Sequence, residues 1–488
     1  MSSRRILLPG LCFIVMTLAV LQTMVVPIVL TIGIQLGVST TAAGWVLTAN
    51  LLAAVIATPV IGRLADLHGK RPVLIGVLTV VLAGSLLAAL THSLLWLIVG
   101  RVLQGVSYAL FPIALAVLRD EMPPRKLVGS MAVLSGTLGV GGGFGLVLTG
   151  LLTANGADYH RVFWLTVAFV VVALAIAWFG VPTRPRTSGG TVDWWGAALL
   201  AVTLLLLFLA LTQGRTWGWG SVATIGCAIV GVVAGAIWWN FEKRADEPLV
   251  APRMLTHGPL LATNVATLFV GIGMFVNFLA CSYFVQTPRA VAGYGFTANV
   301  LEASVVYLLP GAAVGVVAAV VSGRFIRAFG PRRVLIAGAV IGLFGFVFVA
   351  LAHDHTWQLI TAGIVINMFV SLAFAALPNL LMAEVSATDT GVANSVNSIV
   401  RTVGTSIASA TLSTVLAMFT IDRTAVAREI VYTAAFFAGA LACAVVVLAA
   451  LAIKSTTPQR ESTVVAESES AVPRGTPAGS TASPSTTT

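Results

Sequence analysis

Charge is what this chain of 488 residues has least of: only 9% is Asp, Glu, Lys or Arg, against 58% hydrophobic residues. Soluble chains carry roughly 25% charged residues, so a water-soluble fold is excluded. Cysteine is equally scarce. Cys12, Cys227, Cys281 and Cys443 are scattered through apolar segments without paired spacing. They read as small buried hydrophobes and imply neither a disulfide nor a metal site. No G-x-x-x-x-G-K-[ST] stretch occurs, so ATP-driven work by this chain alone is not expected. No His/Asp/Glu cluster has metal-ligand spacing; His353 and His355 flank Asp354 in what reads as a solvated loop. A polytopic enzyme or sensor should show clustered chemistry or an appended soluble domain, and neither is visible. No catalytic residues, metal or cofactor are therefore expected.

Long apolar runs take the place of all this. A basic start, MSSRR, leads into a run from Ile6 to about Leu36, too long for a signal-peptide core. Further runs at about 43–62, 73–91, 95–118, 127–153 and 162–181 complete six spans of membrane length. A polar joint, Pro182–Val192, precedes two more spans at about 193–213 and 221–241. A second joint, Glu242–Pro252, precedes six at about 259–285, 303–324, 333–352, 357–382, 391–419 and 431–453. Beyond Lys454 the chain is Ser, Thr, Pro and Ala, which reads as a disordered cytoplasmic tail. If the N-terminus is inside, twenty of the 27 basic residues fall in inner segments and five in outer ones. That bias predicts cytoplasmic termini, and it explains the net charge of +10 without nucleic acid.

One stretch repeats. GRLADLHGKR at 62–71 returns as GRFIRAFGPR at 323–332, an offset of 261 residues. Gly62, Arg63, Gly69 and Arg71 map onto Gly323, Arg324, Gly330 and Arg332, whereas Asp66 becomes Arg327. Both copies fall on the same side, as in a parallel repeat about an axis along the membrane normal. Six helices need fewer residues than this offset, and the surplus matches the two spans at 193–241. The expected fold is an all-α polytopic membrane protein. A six-helix bundle (1–181) and a second one (258–453) are joined by a linker of two inserted helices (182–257), and the tail occupies 454–488.

The first copy, expected to be a charged turn between two helices, resembles the loop signature of the major facilitator superfamily, G-x-L-A-D-x-x-G-[RK]-[RK]. The helix count resembles its fourteen-helix drug/proton antiporter branch. The resemblance implies two bundles that rock about a midplane cavity, driven by a proton gradient, in the inner (plasma) membrane. It implies an amphiphilic small-molecule substrate and a monomer in the lipid bilayer. A metabolite importer or uniporter on the same fold is the alternative.

The resemblance also assigns residues. Gly62, Asp66, Gly69, Lys70 and Arg71 form a gating loop, and Asp66 holds the two bundles together near the start of the thirteenth span, Thr390–Asn394, with Arg119 as a cationic neighbour. Arg101-x-x-Gln104-Gly105 is similar to a second motif linked to proton transfer; Arg401 is the other cation inside a span. An intramembrane charge is a functional hypothesis by default, although Arg101 is near enough to a span end to snorkel. The fifth span, GTLGVGGGFGLVLTG, is similar to the antiporter motif of that helix but lacks its proline. Its Gly139, Gly143 and Gly145 permit close contact and bending. In the first span Gln22 stands where many relatives carry Asp, and it cannot titrate. With carboxylates scarce inside the spans, neutral or anionic amphiphiles are expected to be preferred over dications. Gln22, Asn50, Asn264, Asn277, Tyr307 and Asn367 are candidate cavity-lining groups, and each could equally be an interhelical hydrogen-bond partner.

Overall fold

In a bilayer a backbone without water must satisfy its own hydrogen bonds, which leaves an apolar run little choice but helix. A computed structural model of the chain describes residues 3–38, 40–153, 158–183, 193–245, 256–385, 390–421 and 426–453. Fourteen helices long and apolar enough to cross a membrane fill it. They are α1 (Ser3–Thr23), α2 (Thr40–His68), α3 (Lys70–Leu90), α4 (Leu94–Glu121), α5 (Pro124–Leu152), α6 (His160–Gly180) and α7 (Trp194–Trp217). The rest are α8 (Val222–Glu242), α9 (Gly258–Gln286), α10 (Ala303–Phe329), α11 (Pro331–Leu351), α12 (Thr356–Glu384), α13 (Thr390–Met418) and α14 (Glu429–Ala452). The sole extended pairing among the described residues is an isolated bridge, Thr420 to Ala427. Most of both polar joints and the tail from Lys454 lie outside the described residues.

Two boundaries differ from the sequence reading. The first apolar run is not one helix to Leu36: α1 stops at Thr23, and a 3-10 turn (Val26–Ile28) and a short helix (Val29–Gln35) follow. Pro27 lies in that turn, where a missing N–H costs least. The segment 62–71 is not a loop. Gly62 to His68 continue α2, Gly69 alone makes the turn at φ +95°, and Lys70 opens α3. The second copy behaves alike, with Gly330 at φ +83° between α10 and α11. Glycine occupies this backbone region without the steric cost that a Cβ brings.

Two other helices are interrupted inside the membrane. A 3-10 turn, Val106–Ala109, divides α4, and α10 begins with a π-helical stretch, Ala303–Leu308. Pro310 follows immediately; without an N–H it leaves the Val306 carbonyl without its usual helical partner, and a wider turn accommodates that.

The largest set of buried apolar side chains comes wholly from residues 266–453, and two others come wholly from residues 7–181. Between these halves, α5 runs against α10 and α12, and α13 against α2 and α4. The inserted α7 touches both α2 and α13. There Phe208 joins Leu52, Val55 and Ile399 in one buried group, and Gln213 donates to Thr48 Oγ1 at 3.4 Å.

Candidate functional site

The end of the molecule that carries Gly69 and Gly330 is tied by arginines. Asp66 lies in the last turn of α2 and is 1% exposed, so it is not a solvated loop carboxylate. At this end Arg119, near the end of α4, reaches across the halves. It donates to Thr390 Oγ1 at the start of α13 and, at 3.2 Å, to the Val385 carbonyl beyond α12. Lys70 and Arg71 act within the N-terminal half. Lys70 pairs with Asp120 and donates to the Ala116 carbonyl at 3.4 Å, fastening α3 to α4. Arg71 donates to Thr183 and, at 2.6 Å, to the Trp178 carbonyl, covering the end of α6. Gly62, expected at the turn, is a buried helical residue.

Deeper in the membrane, Arg101 does not snorkel; it is 1% exposed. Its Nε donates to the Val46 carbonyl at 3.1 Å and its Nη1 to Gln104 Oε1 at 2.6 Å. Gln104 in turn donates to Ser85 Oγ at 2.9 Å, so one buried chain of polar groups joins α2, α3 and α4. Asn50 belongs to it, donating to the Arg101 carbonyl at 2.9 Å. The cost of burying such polar groups is offset only when they are satisfied in this way.

Arg401 is held quite differently. Its guanidinium carbon lies 5.3 Å from the ring centre of Phe111 on α4 and 5.2 Å from that of Phe374 on α12. Both distances fall in the cation–π range. The side chain is half-buried, and no hydrogen bond or ion pair to it is made among the described residues. Behind it the backbone is fixed: a Cβ on Gly271 would stand 2.5 Å from the Arg401 carbonyl, so only glycine lets α9 approach so closely. Arg101 and Arg401 are the basic residues more than five positions from either end of a described span, whereas every Asp and Glu in such a span lies within two residues of its end.

The remaining candidates separate. Asn264 is interhelical: its Oδ1 accepts from Asn397 at 3.0 Å in a buried contact between α9 and α13. Asn50, as described, is likewise interhelical. Asn367 donates back to Gly363 within α12. Tyr307, in the π-helical stretch, approaches Thr356 Oγ1 at 3.3 Å. Gln22 is half-buried near the end of α1, and Asn277 is 8% exposed on α9.

The glycines of α5 line two contacts. Gly141 and Gly145 face Ala19 and Thr23 of α1. Gly143 and Gly136 face Ala312 and Ala319 of α10, and Gly150 faces Leu301 just before that helix. Gly129 continues this row against Gly323. An added Cβ at Gly139 would meet nothing within 4 Å.

Sequence reading missed a second pair of repeated positions. At the same offset of 261, His92 and Trp96 match His353 and Trp357. Both tryptophans are exposed, at 55% and 59%, at the opposite end from Gly69. His92 stacks on His160 with ring centres 4.6 Å apart. His353 is no solvated loop residue: it is 9% exposed, bonded to the Val349 carbonyl at 2.8 Å and to Glu429 at 3.1 Å. Extending the offset beyond the glycine turn would have found the pair. A cleft of about 330 Å³ lies nearby, lined by Ala292, Tyr294, Ile421, Arg428 and Glu429. No three His, Cys, Asp or Glu side chains converge as a metal site among the described residues.

Known proteins share this arrangement. An uncharacterized MFS-type transporter of Mycobacterium tuberculosis is 29% identical over 426 residues, which cover 86% of this chain but only 60% of that protein's length. A tetracenomycin C resistance and export protein of Streptomyces glaucescens is 30% identical over 61% of this chain and 54% of its own. A uridine/deoxyuridine transporter of Lactococcus lactis is 26% identical over 74% and 75%. Among solved structures, the human organic anion transporter MFSD10 superposes with a TM-score of 0.63 over 93% of this chain and 99% of its own; at 14% identity it speaks for the fold alone. The sequence profile of the Major Facilitator Superfamily matches residues 11–409 and, overlapping, 265–482. Twin glycine turns, fourteen membrane helices and this match over most of its length make the chain a member of the major facilitator superfamily, a family of transporters rather than enzymes.

Proposed function

We propose that this transporter is a proton-coupled exporter of amphiphilic small molecules, of the fourteen-helix drug/proton antiporter branch, working by alternating access. The observation that carries the reading is the repeat. Two six-helix halves (1–181 and 258–453) bear the same glycine turn at the same end, and Arg119 bridges them there. Two similar bundles joined at one mouth and able to part there form the machine that alternating access needs. The excess of Lys and Arg at that end makes it cytoplasmic, with both termini inside a bacterial inner membrane. Asp66 steadies the state closed on that side, and the helices α7 and α8 form a linker domain (182–257).

The likeness to an export protein for tetracenomycin C favours efflux, and the likeness to a uridine/deoxyuridine transporter keeps uptake as the second reading. Everted vesicles from an efflux-deficient host separate the two. The expected result is accumulation of an amphiphilic dye that starts on imposing an inward-acidic gradient and collapses with an uncoupler. Accumulation indifferent to the uncoupler would remove proton coupling, and loss of preloaded dye under the same gradient would reverse the direction. Cysteine labelling at His68 and Phe329 tests the orientation, since both should react from the cytoplasmic side alone.

A further inference from the structure

The interior of the membrane region holds two cations and no anion, and the cations are not equivalent. Arg101 has its donors directed at Val46 and Gln104 within one half. The Arg401 guanidinium is engaged by two aromatic rings, Phe111 from the N-terminal half and Phe374 from the C-terminal half, and its N–H groups make no hydrogen bond among the described residues. A cation–π contact uses none of the guanidinium's five N–H donors, whose planar fork matches carboxylate, sulfonate or phosphate oxygens. Tyr108, in the 3-10 turn of α4, is close enough to interact electrostatically with Arg401 and Arg101 alike. From these positions we infer that Arg401 is the receptor for an organic anion: a substrate with one acidic group and an aromatic or apolar body.

The chemistry accounts for three features at once. A guanidinium deep in a bilayer costs roughly 2.5–3.5 kcal/mol or more and persists where it serves the pathway. Among the described spans no carboxylate lies deeper than two residues from an end to compete with an incoming anion for the fork. The rings that grip the guanidinium belong to opposite halves, so an anion drawn to its edge binds at the junction whose two sides must part during transport. This rests on the transporter reading above and narrows its substrate class.

The test uses binding, so that it stands apart from transport. Purified full-length protein is titrated calorimetrically with 1-naphthalenesulfonate and with the neutral 1-naphthalenesulfonamide, which share a ring system and differ in charge. The wild type should bind the sulfonate about tenfold more tightly or better. Arg401→Gln should weaken the sulfonate by ~30-fold or more, the expectation for removing one partner of a desolvated charge pair, while sulfonamide affinity stays within about twofold. Arg401→Lys, which keeps the charge and loses the fork, should fall between. It also serves if the glutamine variant does not fold. Equal wild-type affinities, absent sulfonate saturation, or an unchanged sulfonate affinity in either variant would overturn the assignment. Selective sulfonate binding by a protein that moves no dye in vesicles would instead remove the exporter reading and leave the site.

Discussion

The turns at Gly69 and Gly330 are built alike and finished differently. In each, one glycine at positive φ joins two long helices, and two residues later an arginine covers the end of the last helix of its own half. Arg71 reaches the Trp178 carbonyl, and Arg332 reaches those of Ala450 and Leu451 at 2.9 and 2.8 Å. Cations at helix C-termini satisfy unpaired carbonyls and the negative end of the dipole. The scaffold therefore needs this device in both halves. The charges of Asp66 and Lys70 occur once. Asp66 is buried, whereas its counterpart Arg327 is exposed and lies beside Gly129 of α5. Lys70 fastens Asp120, and the corresponding Pro331 can fasten nothing. The duplicated arginines hold the ends of their own halves, whereas the positions of Asp66 and Lys70 carry different chemistry in the second copy.

The sharpest way to break that division is at the unduplicated position. Asp66→Asn should lower transport about tenfold or more at normal expression, a coupling of the size typical between conformational states; Arg327→Gln should change it less than about twofold. Vesicle flux of both variants decides, and equal losses would end the distinction. Next comes the contact between α5 and α10. Gly136→Leu should destabilise by at least ~1–3 kcal/mol through overpacking against Ala319, whereas Gly139→Ala should stay within ~0.5 kcal/mol. Thermal unfolding in detergent reads both, and matching values would contradict the packing described. The duplicated arginines should be equals: Arg71→Gln and Arg332→Gln should each cost about 1 kcal/mol, and a severalfold difference would show one half bearing more of the load.

The smallest effect is at the far end, where the His160–Asp158 contact (2.5 Å) has no like-for-like counterpart at His353 and Glu429. Partial burial would raise the Asp158 pKa. The backbone and ring hydrogen bonds from His160, with the charges of His160 and His92, outweigh that and hold it below the usual range. A depressed carboxylate contributes stability above its unfolded pKa of about 4 and loses it as pH falls through the folded value. The wild type should therefore show a small extra loss of thermal stability below about pH 4 that Asp158→Asn lacks. Identical acid profiles would remove the contribution.

Much of the architecture was legible because membrane spans are written in composition. The helix count and the repeat followed from long apolar runs and one motif; the sequence placed Asp66 against Thr390–Asn394 with Arg119 nearby, and in the structure Arg119 itself bonds Thr390. The character of 62–68 did not, because charged residues near a membrane surface look like a loop even when they continue a helix. Polar residues inside spans were harder still. Asn50 and Asn264 have the composition of cavity residues, and their interhelical partners are distant in the chain. His353 looked solvated because its neighbours Asp354 and His355 are exposed, while Glu429, which it bonds, lies beyond two further spans.

Along α5 the glycines that face α10 or the turn just before it are Gly129, Gly136, Gly143 and Gly150, one every seventh position. Two turns of an ideal helix take about 7.2 residues, so this line creeps around the cylinder by roughly 20° per heptad. Straight rods would lose touch before its end. To keep it, the partners must coil left-handed about each other, like strands of a rope laid with small residues inward. A laid rope does not open at one end without rotation, so any tilt of one half against the other carries a twist with it.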